Sequence, residues 1–207
     1  MTDPNAPKTY RLRCTYVEQG RLAMLSHLEV AHTLERTVRR AKLPFAISQG
    51  FSPHMKIAFG AALPVGVGST CEIFDLQLTR YVPPAEALAA LQQASVPDLM
   101  VQDCRYIEGK APAASVAFPL STYEAIFDGS PTAIEAPETV SVVRKRKEKT
   151  LVVTDYLVKP FEIEENRATF ALRALPTGSL RPDVLLAHCK VDAAVVSITR
   201  IAQSEER

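Results

Sequence analysis

An α+β fold in two lobes is predicted by three observations. These are the order of strand and helix signals over residues 10–107, a Gly/Pro/Ala segment near the middle, and a partial return of the same theme after it. Residues 10–17 alternate in polarity and read as a strand. A Gly20-Arg21 turn follows, then a helix over 27–41. Strands are expected over 56–62 and 71–79, with a short extra strand at Phe45-Ala46-Ile47. Pro83-Pro84 opens a second helix over 85–94, and 99–107 is the next strand. Strand, helix, two strands, helix, strand is the order of a split βαβ, or ferredoxin-like, lobe, assigned to residues 9–108.

Gly109 to Ala114 reads as a linker. Beyond it, 115–127 is strand-like, 131–136 is expected as a short helix, and strands fall over 139–143 and 151–157. Between these two strands lies the basic run Arg144-Lys145-Arg146-Lys147-Glu148-Lys149, which becomes a hairpin tip. Residues 161–164 and 168–172 flank Glu165-Asn166-Arg167 as a second hairpin. A helix over 181–190 with Pro182 at its start and a strand over 194–201 complete the second lobe, residues 115–203. It is expected to be ferredoxin-like or a variant, which makes the whole two tandem ferredoxin-like lobes.

Composition narrows the function. The 207 residues are 47% hydrophobic and 23% charged, with 15 Pro and no Trp, as in a globular protein. No apolar run is long enough to span a bilayer, and the stretch from Met1 to Lys8 shows no signal-peptide core, so a cytoplasmic protein with no membrane partner is expected. Residues 1–80 hold ten Lys/Arg against six Asp/Glu, a local net charge of +4; the remainder holds 14 against 17, or −3. Positive charge concentrated in this way fits an anionic partner. Cys14, Cys71, Cys104 and Cys189 are far apart in sequence, which excludes zinc-ribbon spacing and the cysteine triads of iron–sulfur sites. No cofactor is expected in this chain.

The candidate site lies between Leu25 and Pro64. Ser26 with Glu29 forms a Ser-x-x-Glu capping box, and Leu25 with Val30 matches a hydrophobic staple. Ala31, Leu34, Val38 and Ala41 form the apolar stripe, while Glu29, Arg36 and Arg40 fall opposite it, with Arg39 and His32 beside them. Lys42, Leu43 and Pro44 end the helix. His27 shares the direction of the apolar stripe, so it is expected to point inward or into a cleft. The positive end of the helix dipole favours its neutral form, suited to a general base, a metal ligand or a buried hydrogen-bonding group.

Further along, Gly50 and Pro53 enforce an irregular loop whose backbone amides, with Lys56, offer an anion site. The Gly-x-x-x-x-Gly-Lys-Ser/Thr pattern of a phosphate-binding loop is absent. Gly66-Val67-Gly68 reads as a turn between strands.

These motifs also carry a resemblance. Leu25-Ser26-His27-Leu28, Arg39-Arg40-Ala41, Ser48-Gln49-Gly50-Phe51-Ser52-Pro53-His54 and Leu63-Pro64-Val65-Gly66 resemble a radical-SAM-linked family of uncharacterised bacterial domains, over about residues 10–201. The resemblance places Ser26, His27, Gln49, Gly50, Pro53, His54 and Lys56 at motif positions. Ser52 stands where the pattern usually has Asn, and Met55 where it usually has Pro. Members are fused to a radical SAM enzyme or encoded beside one, often near genes for an RNA-processing ribonuclease and ribosomal proteins. The resemblance therefore implies a separate radical SAM enzyme as partner.

Three functions are consistent with these residues. The first is an accessory RNA-binding or substrate-presenting protein of a radical SAM enzyme, acting in tRNA or rRNA modification. Phosphate contacts would come from Arg36, Arg39, Arg40, Lys42, Gln49, Gly50 and Lys56, from Arg144, Lys145, Arg146 and Lys147, and from Arg11, Arg13 and Gln77 on the sheet. No paired aromatic motif for base stacking is present, which leaves Tyr16, Phe51 and Phe59 as candidates. The second is a protein–protein adaptor without RNA. The third is a metal-independent endoribonuclease with His27 as base and His54 or Lys56 on the phosphate, by architectural similarity to the nucleases that process CRISPR repeat RNA. A metal site on His27 and His54 would need Glu72 or Asp75 to complete it.

Overall fold

Alternation along β1 (Tyr10–Glu18) puts Leu12, Cys14 and Tyr16 on one buried face and Arg11 and Arg13 on the other. In the computed structural model, which describes residues 9–144 and 147–206, that pattern belongs to a mixed α/β protein with a large mixed sheet and, among the described residues, four α-helices. After β1 come α1 (His27–Arg40), β2 (Ile57–Phe59), β3 (Val67–Leu78), α2 (Pro84–Ala94), β4 (Val101–Ile107) and α3 (Ala114–Ala117). Then follow β5 (Leu120–Phe127), β6 (Ile134–Glu135), β7 (Thr139–Arg144), β8 (Lys147–Val152), β9 (Leu157–Glu164), β10 (Arg167–Leu175), β11 (Gly178–Ser179), α4 (Pro182–His188), β12 (Lys190–Val191) and β13 (Val195–Ser204). The strand order of the sheet is β11-β10-β5-β13-β3-β1-β4, with β2 on β3 and β9 on β10.

Two compact units share this chain. The first holds residues 1–62 and 71–117, the second 63–70 and 118–207. Residues 63–70 join the second unit because Val67, Gly68 and Ser69 pair in parallel with Ile198, Thr199 and Arg200 of β13.

In the first unit the strand order is β4-β1-β3-β2, with β1–β4 and β2–β3 antiparallel. α1 and α2 connect the strands, and their apolar stripes (Leu34 and Val38, Leu91) bury against Leu12, Phe74 and Leu76. In the second unit the order is β13-β5-β10-β9, every pair antiparallel, over a core that includes Phe127, Tyr156, Phe170 and Leu185. There the connection from β5 to β9 runs through β6, β7 and β8, with no α-helix among the described residues.

The expected short helix over 131–136 is corrected. Thr132 donates its N–H and hydroxyl to Asp192, and Ile134–Glu135 pairs with Lys190–Val191, so the segment is held extended. The strand expected at Phe45-Ala46-Ile47 is reduced to two isolated bridges, Phe45 with Leu78 and Ile47 with Met55. The hairpin around Glu165 forms as the sequence predicts, with Glu165 in the left-handed region at φ 54°.

The segment read as a linker is tied down. Arg11 and Arg13 donate to the carbonyls of Ala111 and Pro112, and the same two guanidinium groups clasp Asp75. β1 and β4 also set Cys14 opposite Cys104 with the sulfurs 3.3 Å apart. Burial first, and then this contact, push the Cys14 thiol well above its ordinary pKa, which disfavours a nucleophilic thiolate. Burial pushes the Cys189 thiol up to about 11.

Candidate functional site

The helix that carries the site begins as its sequence dictates. Ser26 is the N-cap; its hydroxyl accepts from the Glu29 N–H, and the Glu29 carboxylate accepts from the Ser26 N–H at 2.8 Å and its hydroxyl at 2.7 Å. These two bonds hold the Glu29 carboxyl below the usual glutamate range. A lowered folded-state pKa contributes stability that is fully present above the unfolded value of about 4.3 and is lost as pH falls through the folded one. Ser26→Ala is expected to cost about 1 kcal/mol at neutral pH. The stability gap between wild type and Glu29→Gln is expected to close on acidification, measured by urea unfolding across the acid range.

α1 buries Val30, Leu34, Thr37 and Val38 and exposes His32, Arg36, Arg39 and Arg40. Lys42, at φ 54°, turns the chain out of the helix toward Leu43-Pro44. Leu43 is buried and Lys42 exposed, so the turn leaves a cation just past the helix C-terminus, where the dipole favours it. Arg40 also links the two helices: its Nη2 donates to the carbonyl of Ala94, the last residue of α2, at 2.7 Å. Arg39 lies over the Phe45 ring, 5.2 Å from its centroid, and Arg36 reaches only Thr33 on its own helix. Arg36, Arg39, Arg40, Lys42 and Lys56 form no ion pair among the described residues.

From Phe45 the chain makes an excursion and returns. Ala46 N–H donates to Gln77 O, Lys56 N–H to Ala46 O, and Gln77 N–H to Lys56 O, all at 3.0 Å or less. One step further out, Ser48 N–H donates to His54 O at 2.8 Å and His54 N–H to the Ser48 hydroxyl at 2.9 Å. These bonds make a neck, and Gln49-Gly50-Phe51-Ser52-Pro53 is its tip. Gly50 takes φ 132°, which an L side chain rarely adopts, so glycine is required there by conformation; a Cβ would meet nothing within 4 Å. Gln49, Gly50, His54 and Lys56 are exposed, and Phe51 is exposed over its whole side chain.

The two histidines do not share this loop. His27 is exposed, a correction to the inward orientation expected of it. It sits in the first helical turn, and its ring packs edge-on against Phe59, centroids 5.4 Å apart. His54 Nε2 lies 3.1 Å from the Ser52 hydroxyl. Arg39, which meets Phe45 beside the loop neck, is twelve residues beyond His27 along the helix, about 18 Å at 1.5 Å per residue. His27 thus lies at the opposite end of α1 from Arg39 and its Phe45 contact.

The metal variant loses one of its two candidate third ligands. Asp75 is 2% exposed and fully committed to Arg13 at 2.7 and 2.9 Å and to Arg11 at 2.7 Å. Among the described residues no group of three or more His, Cys, Asp or Glu is arranged to hold a metal ion. The same clasp corrects the phosphate-contact role expected of Arg11 and Arg13, which spend their donors on Asp75 and on backbone carbonyls. Tyr16 is buried and Phe59 packs on Phe74, so neither is a stacking surface; Phe51 is left. Lys145 and Arg146 lie outside the described residues, as do the side chains of Arg144 and Lys147. β7 and β8 pair those two residues opposite each other at the ends of the two strands.

One signal of this site was in the sequence in a form that motif spacing does not show. Residues 36–71 contain five Lys/Arg and His54 but not one Asp or Glu. The second unit adds a groove of about 380 Å³ between β7 and α4, lined by Ser141, Val142, Ser179, Arg181, Val184 and His188. Its one guanidinium, Arg181, is held by Asp183.

Among the described residues no helix is long and apolar enough to cross a membrane. No curated protein matches the chain. A model of a protein family described as uncharacterized and conserved in bacteria (DUF2344) matches residues 11–182, most of the first unit and much of the second, and the chain belongs to that family.

Proposed function

We propose that this chain is an accessory RNA-binding protein that presents RNA to a radical SAM enzyme carried on a separate chain. The observation that carries the reading is the cationic face at the C-terminal end of α1. There, Arg36, Arg39 and Lys42 lead to the neck of a loop bearing Lys56 and His54, within a carboxylate-free stretch of 36 residues (36–71). Phosphates are the anions such a spread of unpaired cations fits. The motifs at Ser26-His27 and Ser48 to His54 supply the radical SAM association, through the resemblance they carry. The strand orders β4-β1-β3-β2 and β13-β5-β10-β9 support two tandem ferredoxin-like lobes, the second with a hairpin in place of its first helix.

Catalysis by His27 is not part of the proposal, because its ring neighbour is Phe59 and the side chain that His54 meets is Ser52. Docking of the enzyme itself has its own feature, since Met24 and Leu28 stand exposed on either side of Ser26-His27. The test is a titration of the protein with unstructured RNA and bulk tRNA. With about five phosphate contacts to a single strand, a roughly fourfold rise in salt is expected to weaken binding about a hundredfold. Salt-independent binding, or none at low salt, contradicts the reading and leaves the protein-only adaptor.

A further inference from the structure

We propose that Phe51 is a stacking platform for an unpaired nucleobase, so that the RNA held by this face is single-stranded where it crosses the loop tip. The inference rests on the RNA-binding reading and goes beyond it by naming the form of RNA and the residue that selects it.

A phenylalanine exposed over its whole side chain forgoes all the free energy that burial of an aromatic ring provides. The neck beneath the ring is closed by the Lys56 N–H to Ala46 carbonyl bond, by Gln77 of β3, which accepts from Ala46 and donates to Lys56, and by Ser48, whose N–H donates to the His54 carbonyl and whose hydroxyl accepts from the His54 N–H. Gly50 at φ 132° turns the tip and Pro53 restricts its own φ, so the ring projects from a hydrogen-bonded neck. The ring therefore stands ready for an external partner with a flat apolar face.

Charge decides which partner. The tip and neck, residues 46–56, carry Lys56 and His54 and no carboxylate; the helix end beside the neck adds Arg39 and Lys42. An apolar plane among cations matches a nucleobase with phosphates on either side, because every base offers a π-face and its neighbours offer the anions. In a duplex the base faces are stacked and hidden, so only an unpaired base can meet the ring.

The chain has no tryptophan, so Phe51→Trp makes a single indole reporter at the tip of the full-length protein. Unpaired RNA is expected to quench its emission, and a duplex of the same sequence to leave it unchanged. Phe51→Ala, an exposed position, is expected to lower affinity for the unpaired RNA roughly 10–100-fold while leaving the salt slope as in wild type. Wild-type affinity for unpaired RNA in Phe51→Ala, in a protein whose binding still falls when the cations are removed, overturns stacking and leaves the basic face standing. Indole emission from Phe51→Trp that responds to the radical SAM partner and not to RNA overturns it in favour of protein docking. Absence of any RNA binding overturns both this inference and the reading beneath it.

Discussion

Replacing Asp75 with asparagine is expected to destabilise the protein by roughly 3–5 kcal/mol, the cost of leaving buried charge without its partner. The carboxylate accepts two bonds from Arg13, at 2.7 and 2.9 Å, and one from Arg11 at 2.7 Å; Arg13 is 6% exposed and Asp75 2%. The bidentate geometry matches a guanidinium fork to a carboxylate, which is the strong form of this contact. Carbonyls of Ala111 and Pro112 take further N–H groups, so the two cations are solvated by the fold. Asparagine keeps the shape and removes the charge, which leaves two guanidinium groups facing a neutral amide. Urea unfolding is expected to show a lower midpoint with the slope unchanged. A loss below about 1 kcal/mol, the level of an exposed pair, would show that water reaches these groups.

The second large effect is on affinity. Arg36, Lys42 and Lys56 have exposed side chains, and the one side-chain bond among them, Arg36 to Thr33, stays within α1. Changing all three to glutamine is therefore expected to leave unfolding nearly unchanged. Each cation removed from a phosphate lowers the salt slope for single-stranded RNA by about 0.7, so the triple variant should lose about two units of slope and roughly a hundredfold or more in affinity at low salt. Arg40 is kept out of this variant because its bond to the Ala94 carbonyl links α1 to α2, and its loss would mix stability with binding.

What the sequence could reveal followed the distance between partners. The capping box joins residues three apart and was readable, as was the hairpin at Glu165, whose turn residues sit between two alternating runs. The Arg13–Asp75 clasp joins residues 62 apart, and Cys14 meets Cys104 across 90, so no local pattern announces either. Residues 131–136 begin with Pro and carry Ala and Ile, which suits a first helical turn; pairing with Lys190–Val191 overrode that preference.

At the site, the cations were legible because charge is a property of composition. Which of them the fold uses for itself was not: Arg40 and Arg39 look alike until Ala94 and Phe45 are placed beside them. Phe51 sits in no periodic pattern, so its full exposure could be read only from the loop that carries it.

The central claim is that RNA lies on the C-terminal end of α1 and the adjoining loop. Photo-crosslinking of bound RNA to the full-length protein, with mass-spectrometric mapping of the adducts, tests it most directly. Adducts are expected within residues 36–56, with Phe51 or His54 prominent among them. Adducts confined to the second unit, for example on the basic hairpin between β7 and β8, would contradict it.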